Sequence, residues 1–247
     1  MNVPVSTERI LQRRRQSLRL AIAWGAVFAV AAIGMSQYDL QLENAFDLSR
    51  LPGDVRRLVQ LSELFAHGSG FVIIILGIWS LAPDLRRFLP RMITAYLLTG
   101  VLGNLIKLVI WRYRPSAILT GAQAEAEAFA GTIWQTHNNA SVFNVEYITQ
   151  SFPSCHSAAV AALAISLCIL LPRGRYLFFG MAGLACLQRI FFNAHWPSDV
   201  MAGIALGIWV TAFAYFAPVT DAFFARFERM PSANSSRREE PGMSLLR

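Results

Sequence analysis

Charge is scarce in this chain: Asp, Glu, Lys and Arg make up 15% of its 247 residues, while 55% are hydrophobic. Soluble domains carry about 25% charged residues. A single water-exposed globule is therefore excluded, and a mean hydropathy of +0.42 directs the reading to a membrane protein. Cysteine is also sparse. Cys155, Cys168 and Cys186 form an odd set, and the last two lie in apolar runs, which excludes a disulfide framework and leaves those two as small packing residues. None of the four histidines, His67, His137, His156 and His195, has the i, i+4 partner or the cysteine partner of a zinc site, so no metal and no cofactor are expected. Internal repeats are missing. Basic residues interleaved with aromatics over a groove-sized stretch are missing too, so a net charge of +7 and a pI near 9.9 do not imply nucleic acid.

The basic residues instead flank apolar runs, which is the topology signal of a membrane protein. Six runs qualify as spans: residues 20–35, 64–82, 92–111, 154–171, 176–192 and 199–216. The expected fold is all-α, a polytopic bundle of about six transmembrane helices. A basic segment, residues 1–19, carries Arg9, Arg13, Arg14, Arg15 and Arg19 ahead of the first run; Ala29, Val30 and Ala31 also fit a signal-peptide cleavage site, and both readings stay open. Residues 37–62 are polar and acidic, with a turn at Pro52 and Gly53, and an amphipathic surface helix is expected around residues 55–65. A long outer loop covers residues 112–153, and a polar tail covers residues 218–247. The membrane domain between them is residues 20–217. With the N-terminus inside, the cytoplasmic side receives most of the arginines, and the outer side only Arg50, Arg56, Arg57, Arg112 and Arg114. This asymmetry places both termini in the cytoplasm.

Three polar islands interrupt the apolar sequence. The first holds Lys107, Arg112, Arg114 and Pro115; the second holds Pro153, Ser154, Cys155, His156 and Ser157; the third runs from Arg189 through His195 to Asp199. With the topology above, all three lie at the outer ends of spans three to six. Ionisable residues at such depth are costly and mark function. Lys107 and Arg114 are seven apart and share one face of the third span if helix continues that far. Ser154 is placed to N-cap the fourth span, whose free amides make an anion site beside His156. Asp199, four residues after His195, is placed to fix an imidazole tautomer.

The order and spacing of these islands resemble the three-part signature of the type 2 phosphatidic acid phosphatase (PAP2) superfamily, over roughly the middle and last thirds of the chain. The resemblance implies a PAP2-like core in which His195 attacks phosphorus, Asp199 orients it, and His156 protonates the leaving oxygen and later activates water. Lys107, Arg114, Ser154, Cys155 and Arg189, with backbone amides, would bind phosphate. Two departures stand out: Cys155 replaces the usual glycine of the middle motif, and Gln188 replaces the serine usually found before the arginine of the third. The expected activity is metal-independent hydrolysis of a lipid phosphate monoester or pyrophosphate at the extracytoplasmic face, through a phosphohistidine. Its partners would be the membrane and a lipid phosphate, with no nucleic acid. A lipid phosphotransferase and a non-catalytic membrane scaffold are the alternatives. In a bacterium the location would be the inner membrane, with the site facing the periplasm.

Overall fold

A computed structural model describes residues 7–46, 48–116, 134–136 and 149–228. Much of the expected outer loop, including Ala122 and His137, and the tail after Glu228 lie outside these residues. The described chain runs through α1 (Thr7–Met35), α2 (Asp39–Ala45), α3 (Gly53–Ala66), α4 (Gly68–Leu81) and α5 (Leu89–Val109). A two-stranded ladder follows, β1 (Ile110–Arg112) against β2 (Trp134–Thr136), antiparallel. The remaining helices are α6 (Cys155–Leu170), α7 (Arg175–Phe191), α8 (Pro197–Phe216) and α9 (Pro218–Glu228).

Three of these helices are long and apolar enough to cross a bilayer: Gln12–Met35 within α1, Pro83–Val109 ending with α5, and α8. The second expected span is broken. Its sequence forms α3 and α4, bent by 69° at His67, which together count as a fourth span or as a re-entrant loop. The break is local chemistry. His67 has an extended backbone, and its ring accepts from the Ser69 amide to N-cap α4, while the carbonyl of Leu64 fills the space where Gly70 lacks a side chain. The expected surface helix around residues 55–65 falls within α3. The fourth span corresponds to α6, apolar but only 16 residues long, and the fifth to the 17 residues of α7. Helix α9 starts the segment read as a polar tail.

Helix α8 is the centre of the bundle, with α1, α5 and α6 packed around it. Small residues set this arrangement. Ala158, Ala161 and Ala162 of α6 and Gly203, Ala205 and Gly207 of α8 are all buried. A Cβ at Gly203 would strike the carbonyl of Ser154, and one at Gly207 the carbonyl of Ala158, so the two backbones touch along a small-xxx-small pair. Helix α1 buries one narrow face, where Gly25 receives the indole of Trp209.

The two ends of the bundle differ in chemistry. At one end Arg91, 2% exposed, donates to the carbonyls of Ala214 and Tyr215, which end α8, and to Asp221 and Glu228 of α9. Arg14 pairs with the same Asp221. At the other end the C-termini of α1, α5 and α7 meet the N-termini of α6 and α8, and α2 turns two acids inward, Asp39 and Glu43. Asp39 is fully paired. Glu43 is 5% exposed, and neither carboxyl oxygen has a hydrogen-bond partner among the described residues.

Burial, with Asp39 and Asp199 nearby, pushes the Glu43 carboxyl from an ordinary 4.5 up to about 8. Between those values the folded chain keeps a proton that the unfolded chain has released. Stability therefore falls as pH rises through this window, by up to about 1.4 kcal/mol per unit, and is flat above it. Glu43→Gln should remove that slope. Thermal unfolding in detergent from pH 5 to 8 should show the native midpoint falling relative to the variant; parallel curves would contradict the buried, protonated acid.

Candidate active site

Helix α5 stops at Val109 because Ile110, Trp111 and Arg112 take an extended course and pair with Thr136, Gln135 and Trp134. Lys107 and Arg114 therefore do not share one helical face, as an uninterrupted third span would require. The chain turns and brings them together another way. Lys107 Nζ donates to the carbonyl of Gln150 at 2.8 Å, and Arg114 Nη2 donates to the same oxygen at 3.1 Å. Both cations are buried, at 6% and 4% exposure.

His195 is delivered by the end of α7. Asn193, at φ 52°, takes the left-handed conformation that asparagine tolerates and reverses the chain, so the amides of Ala194 and His195 bond back to the Arg189 carbonyl. The His195 Nδ1 lies 2.8 Å from the carbonyl oxygen of Ser151. A carbonyl only accepts, so Nδ1 carries the proton and Nε2 keeps its lone pair. Arg114 Nη1 faces that lone pair at 3.3 Å and also donates to the carbonyl of Ala194 at 2.6 Å. Burial, reinforced by Arg114 and Lys107 and opposed by Asp199, lowers the His195 pKa to about 3. The ring is thus neutral across the physiological range, with the Nε2 lone pair retained.

Asp199 stands 3.8 Å from Nδ1, farther than Ser151. Its own contacts are closer. Oδ2 accepts from the Ser151 hydroxyl at 2.5 Å and the Trp196 amide at 3.0 Å, and Oδ1 accepts from Arg112 Nη1 at 2.5 Å. Asp199 thus holds the segment whose carbonyl holds the imidazole. Arg112, 1% exposed, also donates to Asp39 Oδ2 at 2.5 Å, and Ser198 joins both through its hydroxyl and amide. Sequence reasoning assigned roles to neither Asp39, Arg112, Ser151 nor Ser198. The one signal available was an arginine two residues before Arg114 inside an apolar region.

The second island opens α6. Ser154 is its N-cap: the hydroxyl accepts from the amide and hydroxyl of Ser157, and the Ser154 amide donates to the Asp199 carbonyl at 3.0 Å. With no exposure and its hydroxyl engaged in the cap, Ser154 shapes the helix start. Cys155 is the first helical residue and fits against Gly103, where a Cβ would stand 2.8 Å from its sulfur. Gly103 thus lets α6 approach α5 closely, whereas a Cβ at Gly100 would meet nothing within 4 Å among the described residues. His156 is half-buried, and the charged and titratable groups around it are Arg189, Glu63, Lys107 and His67.

Arg189 is brought to the same end but is already engaged: Nη1 donates to Glu63 Oε1 at 2.8 Å. Gln188 Nε2 donates to the other oxygen of Glu63 at 3.3 Å, so the departure at position 188 supports this α3 carboxylate. Arg189 Nε is buried with no hydrogen-bond partner among the described residues. No group of three or more metal-ligating side chains occurs among the described residues. The arrangement places one imidazole lone pair, a second imidazole, the cations Lys107, Arg114 and Arg189 beside the paired Arg112, and a helix N-terminus at one end of the bundle. This is equipment for an anion and for nucleophilic attack upon it.

Over 128 residues the chain is 34% identical to the lipid A 1-phosphatase of Rhizobium johnstonii, covering 52% of this chain and 44% of that protein. It is 33% identical over 125 residues to the lipid A 1-phosphatase of Rhizobium etli, covering 49% and 48%. The chain thus spans about half the length of these curated relatives. An undecaprenyl-diphosphatase of Sulfolobus acidocaldarius is 34% identical over 62 residues, 25% of this chain and 30% of that one. In fold, the chain is similar to a crystal structure described as the first transmembrane PAP2-type phosphatidylglycerolphosphate phosphatase from Bacillus subtilis. That likeness has a TM-score of 0.51 and 20% identity, and covers 85% of this chain and 98% of that one. Residues 88–221, which contain all three islands, match the family model of the PAP2 superfamily, and this integral membrane protein belongs to that superfamily.

Proposed function

We propose that this protein is a metal-independent lipid phosphatase that works through a phosphohistidine at His195. The observation that carries this reading is the His195 ring itself: its Nδ1 proton is tied to Ser151 and its Nε2 lone pair is opposed by Arg114. With a phosphate in place, Arg114 turns from Nε2 to a phosphoryl oxygen and uncovers the nucleophile. Lys107, the only lysine in the chain, supplies a second cation, and Arg189 a third through its Nε, which has no hydrogen-bond partner among the described residues. The amides of Cys155 and His156, at a helix start with no intrahelical acceptor, add donors. Nε2 attacks phosphorus, the P–N bond forms, and the ester P–O bond breaks as His156 protonates the departing oxygen. Water then attacks the phosphohistidine, giving its proton to His156, and inorganic phosphate and free Nε2 are regenerated.

The substrate is amphipathic in this reading. An apolar cavity of about 370 Å³ between α1, α5 and α8 is lined by Ala32, Ile33, Ile106, Leu206 and Trp209. Phe152, Pro153 and Ser198, which border the site in sequence, line it as well, so a hydrocarbon chain could lie there while the phosphate reaches His195. The Rhizobium relatives make a lipid A-type glycolipid 1-phosphate the first substrate to test, ahead of polyprenyl diphosphates and phosphatidylglycerol phosphate. The arginine asymmetry supports a site on the side away from the cytoplasm, which in a bacterial inner membrane is the periplasmic face.

Brief reaction of detergent-solubilised protein with ³²P-labelled substrate, quenched in alkali, should trap an acid-labile phosphoprotein. His195→Ala should abolish it and lower kcat by at least about a thousandfold. EDTA should leave turnover unchanged; a trapped intermediate persisting in the variant, or turnover restored only by a divalent metal, would refute the mechanism. Sidedness has its own test. Single cysteines at positions 122 and 174, in a chain without native cysteines, should react with an impermeant maleimide in intact cells only at 122, and labelling confined to 174 would reverse the topology.

A further inference from the structure

The carboxylate behind His195 is held from a helix that no motif reaches and that lies outside the matched residues 88–221. Asp39 of α2 is 1% exposed, and its side-chain hydrogen bonds run to Arg112 and Ser198. Its Oδ2 accepts from Arg112 Nη2 and from the Ser198 hydroxyl, both at 2.5 Å, and its Oδ1 accepts from the Ser198 amide at 3.0 Å. Arg112 extends its other nitrogen to Asp199, and Ser198 is the residue next to Asp199 in the first turn of α8. We propose that Asp39 is a positioning residue for phosphoryl transfer, acting through Arg112 and Ser198 on Asp199 and the His195 ring. The inference rests on the phosphatase reading above.

Charge gives the contact a consequence beyond packing. One guanidinium between two carboxylates leaves a net charge of −1 in a site closed to water, where charges interact strongly. That charge opposes Lys107 and Arg114 and favours the positive imidazole that forms when Nε2 is phosphorylated while Nδ1 keeps its proton. Replacing Asp39 by asparagine makes the cluster neutral. Arg112 is then drawn onto Asp199 alone, and the support for Ser151 and for the Nδ1 proton weakens. The groups facing Asp39 are Arg112 from β1, Ser198 from α8, and Glu43 one turn along α2, itself close to both Asp39 and Asp199. The Glu43 carboxyl has no hydrogen-bond partner among the described residues, and burial keeps it protonated at neutral pH. Glu43→Gln is therefore a control on the same helix.

The test compares Asp39→Asn with Glu43→Gln at pH 7 on a lipid phosphate monoester, with ¹⁵N-histidine NMR of the same detergent samples and His195→Gln to assign the signal. Asp39→Asn should lower kcat by roughly 10- to 100-fold, the range seen when residues that orient metal-ligating side chains are removed, with KM within about threefold. The His195 ring nitrogens should move from a single Nδ1-protonated tautomer toward an average of the two. Glu43→Gln should leave both readouts at native values. A lower unfolding temperature with unmoved kcat and unmoved His195 signals would make Asp39 merely structural and overturn the proposal; so would equal losses in the two variants. If the native protein turns over no lipid phosphate but Asp39→Asn still shifts the His195 tautomer, the phosphatase reading fails and the positioning role stands.

Discussion

A guanidinium closed off from water between two carboxylates is the constraint on which the rest of this structure depends. Arg112, Asp39 and Asp199 are each at most 1% exposed, and an unpaired ion at such a place would cost several kcal/mol. Further hydrogen bonds offset the cost of burial: the hydroxyls of Ser151 and Ser198 and the amides of Trp196 and Ser198 all bond into the cluster. Breaking one partner of such a set costs about 3–5 kcal/mol. Four separate stretches of chain, at α2, β1, residue 151 and the start of α8, are therefore pinned to one point. The carbonyl that fixes the His195 tautomer belongs to one of them.

The helices supply the platform for this cluster. Close approach of α6 and α8 through Gly203 and Gly207 sets the two helix starts side by side, and the Ser154 amide bonds directly to the Asp199 carbonyl. Cation placement follows from where helices stop. Helix α5 ends just after Lys107, and α7 ends just after Arg189, so both side chains reach the same end as His156 and His195. At the far end Arg91 does the comparable structural work, tying the end of α8 to α9. A bundle with charge only at its two ends leaves the apolar middle free to face lipid, which is why so much of α1 and α4 is exposed hydrocarbon.

Much of the site was legible in the sequence because its chemistry is local. Ser154 as a cap, His156 in the first turn, and His195 four residues before Asp199 are read directly from spacing and from the polarity of short islands. The partners were not legible. Arg112 finds Asp39 across 73 positions and Asp199 across 87, and Glu63 reaches Arg189 across 126, in segments whose composition reads only as polar loop or surface helix. The expected shared face of Lys107 and Arg114 failed for a related reason: a strand pairing with residues 134–136, remote in sequence, ends α5 before the second turn. The break at His67 was foreshadowed by Gly68 and Gly70, but hydropathy averaged over the window concealed it. Cys155 in place of glycine is explained by Gly103 opposite, a pairing visible only once α5 and α6 are packed.

An experimental structure with orthovanadate bound would test the central claim most directly, since vanadate adopts the geometry of a phosphoryl group under attack. Vanadium should lie at bonding distance from His195 Nε2. Arg114 should have moved from Nε2 onto a vanadate oxygen, Lys107 should be within reach of another, and Nδ1 should remain on the Ser151 carbonyl above an unchanged contact of Arg112 with Asp39 and Asp199. Vanadate seated away from His195, or a ring turned so that Nδ1 faces vanadium, would contradict this account of the site.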